Sequence, residues 1–180
     1  MIELVRQRRS IRSYRRDPVD PQTVYLLVET LLRAPTSRNI RPWEFIVVDD
    51  RELLAKLSAC KEHGSAFLKG APLAVVVCGD ETRSDVWVED CSIATILLQM
   101  TAQSLGLGSC WIQIRRRQHD AATPSEEYIR RLLGLPEQLK VQAIVALGHP
   151  SEKREPLPAS ELQYGKVKRN GYAEPYRTGD

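Results

Sequence analysis

Histidine and cysteine are scarce in this chain of 180 residues, which contains three of the first and four of the second. No cysteine has a C-x-x-C partner, and no group of cysteines and histidines has the full ligand spacing of a metal site, so the sequence predicts no zinc or iron–sulfur site. It also lacks a G-x-S-x-G segment, and its three histidines are separated from one another by loops. We therefore expect reduced core cysteines, as in a cytosolic protein, and surface or structural histidines. With no evident acid–base or nucleophile machinery, an enzyme built from this chain would depend on a cofactor.

Long hydrophobic runs and a strong charge imbalance are also absent. The longest apolar run, over residues 72–78, has the length of a strand and falls far short of a membrane span. The first residues carry no hydrophobic segment typical of a secretory signal. The net charge of +3 suits an anionic small ligand but is too small to indicate nucleic-acid binding. We expect a single cytoplasmic domain over residues 1–180, with neither a membrane nor a nucleic-acid partner.

Hydrophobic periodicity alternates between helical and strand-like segments. Helices are predicted over residues 3–8, 21–34, 52–60, 86–105 and 124–134. Strands are predicted over residues 43–48, 73–78, 109–114 and 140–147. This order predicts an α+β or three-layer α/β arrangement.

Capping signals define several ends of these helices. Asp20 is expected to cap the second helix, and Asp49 or Asp50 the third. Residues 123–126, Thr-Pro-Ser-Glu, have the pattern of a capping box with proline at the first helical position, and Gly134 is expected to end that helix. Gly106-x-Gly108 follows a helix and precedes a strand, so helix termination is favoured over a dinucleotide fingerprint.

Two segments have no clear partner within the predicted fold. The helix over 86–105 is apolar around much of its circumference, which is typical of the centre of a domain or of a subunit interface. The tail after Pro150 is polar and rich in proline, so it must wrap around something or extend freely. Residues 63–70 contain two glycines and are a candidate mobile loop.

Cations and hydroxyls cluster in three places. The segment Arg8–Arg12 places three arginines around Ser10, and guanidinium forks with a hydroxyl match the oxygens of a phosphate. A solvated helix end would explain the same residues. The turn at 34–43 supplies hydroxyls and an amide able to border a planar heterocycle. Lys153 and Arg154 follow the last strand and could reach the same site as Arg8–Arg12.

Taken in order, these segments resemble the FMN-dependent nitroreductase family. The resemblance rests on R-R-S-I-R-S-Y at 8–14, A-P-T-S-x-N-x-x-P-W-x-F at 34–45, A-P at 71–72, D-x-x-x-A at 90–94, G-L-G-S-C-W at 106–111 and A-L-G-H-P at 146–150. Each motif alone is weak, but together they cover essentially the whole chain in the right order.

The resemblance implies an α+β fold of three layers, in which helices flank a mainly antiparallel central sheet. It also implies an obligate homodimer formed through the long helix, with FMN bound at the interface and the C-terminal arm, residues 151–180, wrapped around the partner subunit. By analogy, the phosphate, ribityl chain and pyrimidine edge would be held by Arg8, Arg9, Ser10 and Arg12. The same flavin would be approached from the other subunit by Pro35, Thr36, Ser37 and Asn39. The isoalloxazine ring would be lined by Trp111, Ile112 and Gln113. Arg154, together with Lys153, would contact the phosphate.

The chemistry implied is passage of hydride from NADH or NADPH through flavin N5 to an electron-poor small molecule such as a nitroaromatic or quinone, in ping-pong fashion and without a catalytic side chain. The same fold would also suit a reductive dehalogenase, an enone reductase, a metabolite-specific oxidase, or a protein that binds or senses FMN without turnover. Thr36 and Arg41 depart from the family's usual Ser and Gln. Neither candidate lid, 61–70 or 115–122, identifies the acceptor.

Overall fold

Four strands form one antiparallel sheet in the computed structural model of the protein, which describes residues 1–176. The strands are β1 (Trp43–Val48), β2 (Leu73–Asp80), β3 (Gly108–Gln113) and β4 (Leu139–Gly148), in the spatial order β1-β2-β4-β3. The helices are α1 (Ile2–Gln7), α2 (Pro21–Leu32), α3 (Arg51–Ser58), α4 (Trp87–Ser104) and α5 (Ser125–Leu133). The predicted α+β class and the antiparallel sheet flanked by helices are confirmed.

The two central strands, β2 and β4, are buried on both faces, which is why their sequences, apart from Asp80, Lys140 and Gln142, are hydrophobic runs rather than alternating ones. Val75 pairs with Val145 and Val76 with Ile144 across the ladder. The ladder is interrupted by a bulge between Val77 and Cys78. Because both faces of these strands are buried, each face of the sheet needs its own layer of helices.

The core accordingly divides into two clusters, one on each face of the sheet. On one face, α3 and α5 contribute Leu54, Leu57 and Ile129 to the cluster that contains Val76 and Ile144. On the other face, α2 and α4 contribute residues that pack against the alternate side chains of the same strands, namely Leu27, Leu31, Cys91, Ala94 and Leu98. All four cysteines are free and buried, as predicted.

Helix α4 leaves part of its apolar surface without a partner in the chain. Ala94, Leu98 and Ala102 are fully buried on the side that faces the sheet. Ile93 and Ile96 are exposed, at 39% and 45% of their maximal accessible surface. One side of the helix therefore packs against the sheet, while a second apolar row on its surface stays exposed. No helix among residues 1–176 is both long and apolar enough to cross a membrane.

The predicted caps hold at three helix ends and fail at a fourth. Asp20 accepts a hydrogen bond from Thr23 N, Asp50 accepts one from Leu53 N, and Gly134 closes α5 in a left-handed conformation with φ of 66°. The capping box before α5 is wrong. Glu126 accepts its hydrogen bond from Val141 N in β4 rather than from Thr123 N.

That failure has a structural reason, since the amide of Thr123 is already bonded to Asp120 Oδ1 at 2.7 Å. A tight turn thus replaces the reciprocal cap, and the hydrogen bond of Glu126 instead joins helix α5 to strand β4.

Residues 63–70 also differ from the predicted loop. Residues 66–70 form a 3₁₀ turn against α3, and Leu68 is fully buried beneath it.

The tail after β4 contains two short 3₁₀ turns, Ala159–Glu161 and Tyr164–Lys166, but almost none of its surface is buried. Its apolar side chains, including Leu157, Tyr164 and Val167, remain exposed. The predicted arm extends to residue 180, and residues 177–180 lie outside the described residues. The tail therefore has regular turns without packing extensively against its own chain.

Candidate active site

The Arg8–Arg12 cluster is fixed to the beginning of β3. Helix α1 ends at Gln7, and the backbone of the next residue, Arg8, is extended. Ser10 then forms a parallel bridge with Ser109, and Ile11 N donates to Ser109 O at 3.0 Å. The cluster is therefore held by the edge of the sheet and is not a solvated extension of the helix.

Glycine at the start of β3 permits this close approach. A Cβ placed on Gly108 would lie only 2.8 Å from the Cβ of Ile11, closer than side-chain carbons approach one another. Ile11 is itself buried in the cluster that also contains Ile112. The bare backbone at Gly108 therefore sets the position of the neighbouring Ser10 and Arg12.

The segment runs beside Cys110 of β3. Burial raises the pKa of the Cys110 thiol, and the charge of Arg12, a hydrogen bond with Ser10 and the charge of Arg8 act in the opposite direction. The charges of two guanidinium groups and the hydroxyl of Ser10 thus act on one thiol at the edge of β3. Such a donor set suits an anion with several oxygen acceptors.

The segment after β4 returns to the same region of the sheet. Glu152 accepts hydrogen bonds from Arg12 N at 2.6 Å and from Ser13 N at 3.0 Å. Arg154 Nε donates to the other oxygen of Glu152 at 2.7 Å. These bonds, led by that from Arg12 N, hold the pKa of Glu152 below its ordinary value. The carboxylate thereby joins the Arg8–Arg12 cluster to Arg154.

The other two cations of the prediction lie further out. The guanidinium of Arg9 donates to the backbone oxygen of Glu155, so Arg9 helps to hold the tail. Lys153 pairs with the carboxylate of Glu155 at 3.3 Å, and its side chain is 87% exposed. Of the two tail cations, Arg154 is thus the one tied directly to the cluster.

Strand β3 presents its side chains to opposite faces. Ile112 is buried in the cluster beneath α3 and α5, so its side chain cannot line a site and only its backbone is available. Trp111 and Gln113 are half-buried on the α4 side, and Trp111 Nε1 donates to Gln113 Oε1 at 2.9 Å. Only two of the three predicted side chains therefore lie where a ligand could contact them.

The turn between α2 and β1 is organised by Asp90 of α4 and by Arg41. Ser37 N donates to Asp90 Oδ1 at 2.8 Å. Arg41 donates from its backbone N to Thr36 Oγ1 and from its Nε to Asn39 Oδ1, each at 3.0 Å. The guanidinium of Arg41, whose direction the sequence leaves open, therefore braces the turn.

This turn carries unusual backbone strain. Arg38, Asn39 and Arg41 have φ values of 52°, 54° and 52°. Non-glycine residues in this region cost about 1–2 kcal/mol each, although asparagine is better tolerated than arginine. Pro35 precedes the strained residues and remains exposed. Such strain is typical of a segment held in one shape for binding.

The two predicted halves of the site do not meet within one chain. The Arg8–Arg12 cluster lies at the β3 edge, beside Gly108 and the end of β4, whereas residues 35–39 adjoin the start of the opposite edge strand, β1. Seven residues along the strands and three steps across the sheet separate the two corners by roughly 25–30 Å. The described chain therefore contains two partial sites at diagonal corners of the sheet.

Three residues missed by site prediction organise these corners. Asp90, 2% exposed, holds the turn, Glu152 joins tail to cluster, and Phe67 lies beneath the Arg12 guanidinium, 5.9 Å from its ring centroid. The sequence could have indicated Asp90, because it belongs to one of the motifs of the family resemblance. It could also have indicated Glu152, because this acid directly precedes two cations. Nothing in the sequence indicates Phe67, because its contact depends on the packed 3₁₀ turn.

Comparison with known proteins assigns this arrangement to a family. The model of the Nitroreductase family matches residues 5–62 and 58–149, which together include both corners of the sheet. The chain belongs to the nitroreductase family.

Individual relatives agree with that membership over nearly the whole length of the chain. The solved structure of an FMN-dependent nitroreductase from Clostridium difficile R20291 is 43% identical, covers 95% of this chain and 99% of its own, and superimposes with a TM-score of 0.93. A protein of Archaeoglobus fulgidus with the provisional name NADH dehydrogenase/NAD(P)H nitroreductase is 35% identical over 86% of this chain and 87% of its own. The FMN reductase [NAD(P)H] of Bacillus subtilis is 27% identical over 85% and 67%.

Proposed function

We propose that this nitroreductase is an FMN-dependent oxidoreductase that uses NADH or NADPH to reduce an electron-poor small molecule, such as a nitroaromatic or a quinone, in ping-pong fashion. The observation that carries the proposal is the attachment of the Arg8–Arg12 cluster to the start of β3, where Glu152 joins it to Arg154. The 43% identical FMN-dependent nitroreductase supports the choice of cofactor.

The residues at the β3 edge fit the phosphate end of FMN. Arg8 and Ser10 offer a cation and a hydroxyl beside Cys110, and the segment is fixed by the sheet, so little ordering is needed on binding. Arg154 uses Nε on Glu152, which leaves its terminal nitrogens available within residues 1–176. Arg9 and Lys153 add positive charge nearby and hold the tail.

The ring end of the cofactor would lie against β3 and the turn. Trp111 and Gln113 would border the ring, with the backbone of Ile112 beside them, and Arg12 would stabilise negative charge that develops at its pyrimidine edge. When bound, FMN supplies the hydride chemistry, accepting from the nicotinamide and delivering to the acceptor. The side chains bind and orient, so none is required as an obligatory acid or base.

A homodimer would complete the site by bringing the turn of one subunit to the Arg8–Arg12 cluster of the other. Pro35, Thr36, Ser37 and Asn39 would then face a flavin that their own chain does not hold. Three features support the dimer: the gap of roughly 25–30 Å between the corners, the uncovered Ile93 and Ile96 of α4, and a tail with exposed apolar side chains. The tail would wrap the partner subunit.

The first experiment tests cofactor and activity together. Purified protein, supplied with FMN, is expected to bind about one flavin per chain and to oxidise NADH or NADPH when a nitroaromatic or quinone is added. Halogenated phenols and enones belong in the same acceptor series, because the fold also suits their reduction. A protein that retains no FMN refutes the proposal, and one that retains FMN without turnover of any acceptor is a flavin-binding protein instead.

The second experiment tests the shared site by complementation. Arg8→Ala removes a phosphate contact, and Ser37→Trp adds bulk at an exposed position of the turn. Each homodimer would have two defective sites. A heterodimer of the two variants would have one doubly altered site and one intact site, so about half of the wild-type activity per heterodimer is expected. Activity no greater than the sum of the two homodimers would rule out the shared site.

A further inference from the structure

A second group of cations lies apart from the proposed flavin site. Arg16, Arg51 and Lys69 line a cleft of about 370 Å³ whose wall is the backbone and side chains of Gly70–Pro72. We call this feature the basic cleft. None of its lining residues belongs to the Arg8–Arg12 cluster or to residues 35–39.

Three separate elements bring these cations together. Arg15 N donates to His149 O at 2.8 Å, which positions the following Arg16 at the end of β4. Arg51 is the first residue of α3, directly after its cap Asp50. Lys69 belongs to the 3₁₀ turn that is anchored by the buried Leu68. The backbone of each contributing segment is therefore fixed by the fold.

The cations of the basic cleft lack a counter-charge, unlike Arg15 and Arg154. Arg15 pairs with Asp17 at 3.3 Å and Arg154 with Glu152 at 2.7 Å. Within residues 1–176, no ion pair or side-chain hydrogen bond is formed by Arg16, Arg51 or Lys69. Three unpaired like charges around one concave surface repel each other, and an anion would relieve that repulsion.

The acids nearby do not neutralise the cleft. Asp50 already uses one oxygen to cap α3 through Leu53 N. Asp49 lines the adjoining space, where it faces Arg16 and Arg51 without an ion pair to either one. Three cations and Asp49 leave a positive balance. Two guanidinium forks with an ammonium group match the several oxygens of a phosphate better than the two oxygens of a carboxylate.

A space next to the basic cleft has an apolar wall. A further volume of about 170 Å³ continues from the basic cleft past Arg16, Arg51 and Pro72 and is lined by Pro18, Val19, Val24 and Leu73. Val19 and Val24 are only partly buried, so a ligand there would cover apolar surface. A free phosphate would fill the charged part alone, whereas a phosphate ester would use both parts.

We propose that the basic cleft is a second anion site that binds the phosphate group of a phosphorylated small organic molecule, with the organic part against the apolar wall. The site is independent of FMN retention. Its ligand would be either the phosphorylated half of a dinucleotide electron donor or a separate phosphate ester.

Direct titration of the FMN-supplied protein tests this site. The probes are AMP, inorganic phosphate and adenosine, followed by calorimetry at low ionic strength. AMP is expected to bind more tightly than either of its parts. Replacing Arg16 or Arg51 with Gln should weaken AMP binding about tenfold each, because each change removes a charge-assisted contact. Lys56→Gln, an exposed cation on the same helix α3 that does not line the cleft, is the matched control.

Three results would overturn the proposal: no AMP binding at millimolar concentration, equal binding of adenosine and AMP, or equal losses in Lys56→Gln and Arg51→Gln. Kinetics then separate the two ligand sources. A KM that rises for NADPH but not for NADH in Arg51→Gln assigns the cleft to the 2′-phosphate of the donor. A KM that rises for both donors assigns it to the diphosphate of the donor, and an unchanged KM for both donors, with AMP binding lost, assigns it to a separate phosphate ester.

Discussion

Replacing Gly108 with alanine should displace the backbone segment that carries the proposed phosphate-binding residues. The new Cβ would lie 2.8–2.9 Å from three side-chain carbons of Ile11, one of which is the rigid Cβ itself. Ile11 cannot rotate away from such a contact, so the segment carrying Ser10 and Arg12 must move by some tenths of an ångström. Overpacking of this kind costs about 1–3 kcal/mol. For a chain of this length, that corresponds to a fall in Tm of roughly 2–12 °C.

The same displacement should weaken FMN binding about threefold to tenfold, because charge-assisted contacts at the β3 edge lose their alignment. Thermal unfolding without FMN and fluorescence titration with FMN measure the two effects separately. Gly165→Ala is the control, since a Cβ added there would meet no atom within 4 Å and the φ of Gly165 is not positive. If Gly108→Ala matches Gly165→Ala in both assays, the close contact with Ile11 does not position the segment.

Three further predictions concern the tail and the Arg8–Arg12 cluster. Arg8→Ala and Arg154→Ala should each weaken FMN binding by about 1.5–3 kcal/mol in fluorescence titrations, and unchanged affinity in both would refute the phosphate placement. Glu152→Ala should also lower FMN affinity, by about tenfold, because Arg154 loses its anchor; Glu155→Ala serves as the comparison. The anchor of Glu152 should persist above the ordinary glutamate pKa of about 4.3 and disappear as the pH falls through its lowered pKa. NMR shifts of the Arg12 and Ser13 amides should report that titration, and Glu152→Gln should abolish it.

The strands are predictable because their signal is local. The sequence predicts β1 over residues 43–48, the bounds that the structure gives, and β2 and β4 extend the predicted runs by one or two residues. Continuous burial on both faces requires apolar residues at every position, and such a run is visible without knowledge of its neighbours. Caps formed by one residue and its own helix, such as Asp20 and Gly134, are visible for the same reason.

Features that depend on distant partners cannot be predicted from local pattern. Glu126 matches a capping box, yet its carboxylate accepts a hydrogen bond from the backbone amide of Val141 in β4, fifteen residues away. Glu152 lies 140 residues from Arg12, and no spacing rule connects them. The family resemblance implies that Ile112 lines the site beside Trp111 and Gln113, but the alternation of the strand turns its side chain into the core.

The division of the proposed site between two corners has a consequence for how the protein would work. One half, at Ser10, is fixed by hydrogen bonds to β3, and the other, at residues 37–41, is held in a strained turn by Asp90 and Arg41. Both halves are shaped before any ligand arrives, so the ordering that remains is the association of two chains. In the proposed homodimer, FMN bound across the interface would stabilise the dimer by mass action, and association would in turn raise the affinity for FMN. Cofactor retention and dimerisation would thus be two measures of one equilibrium.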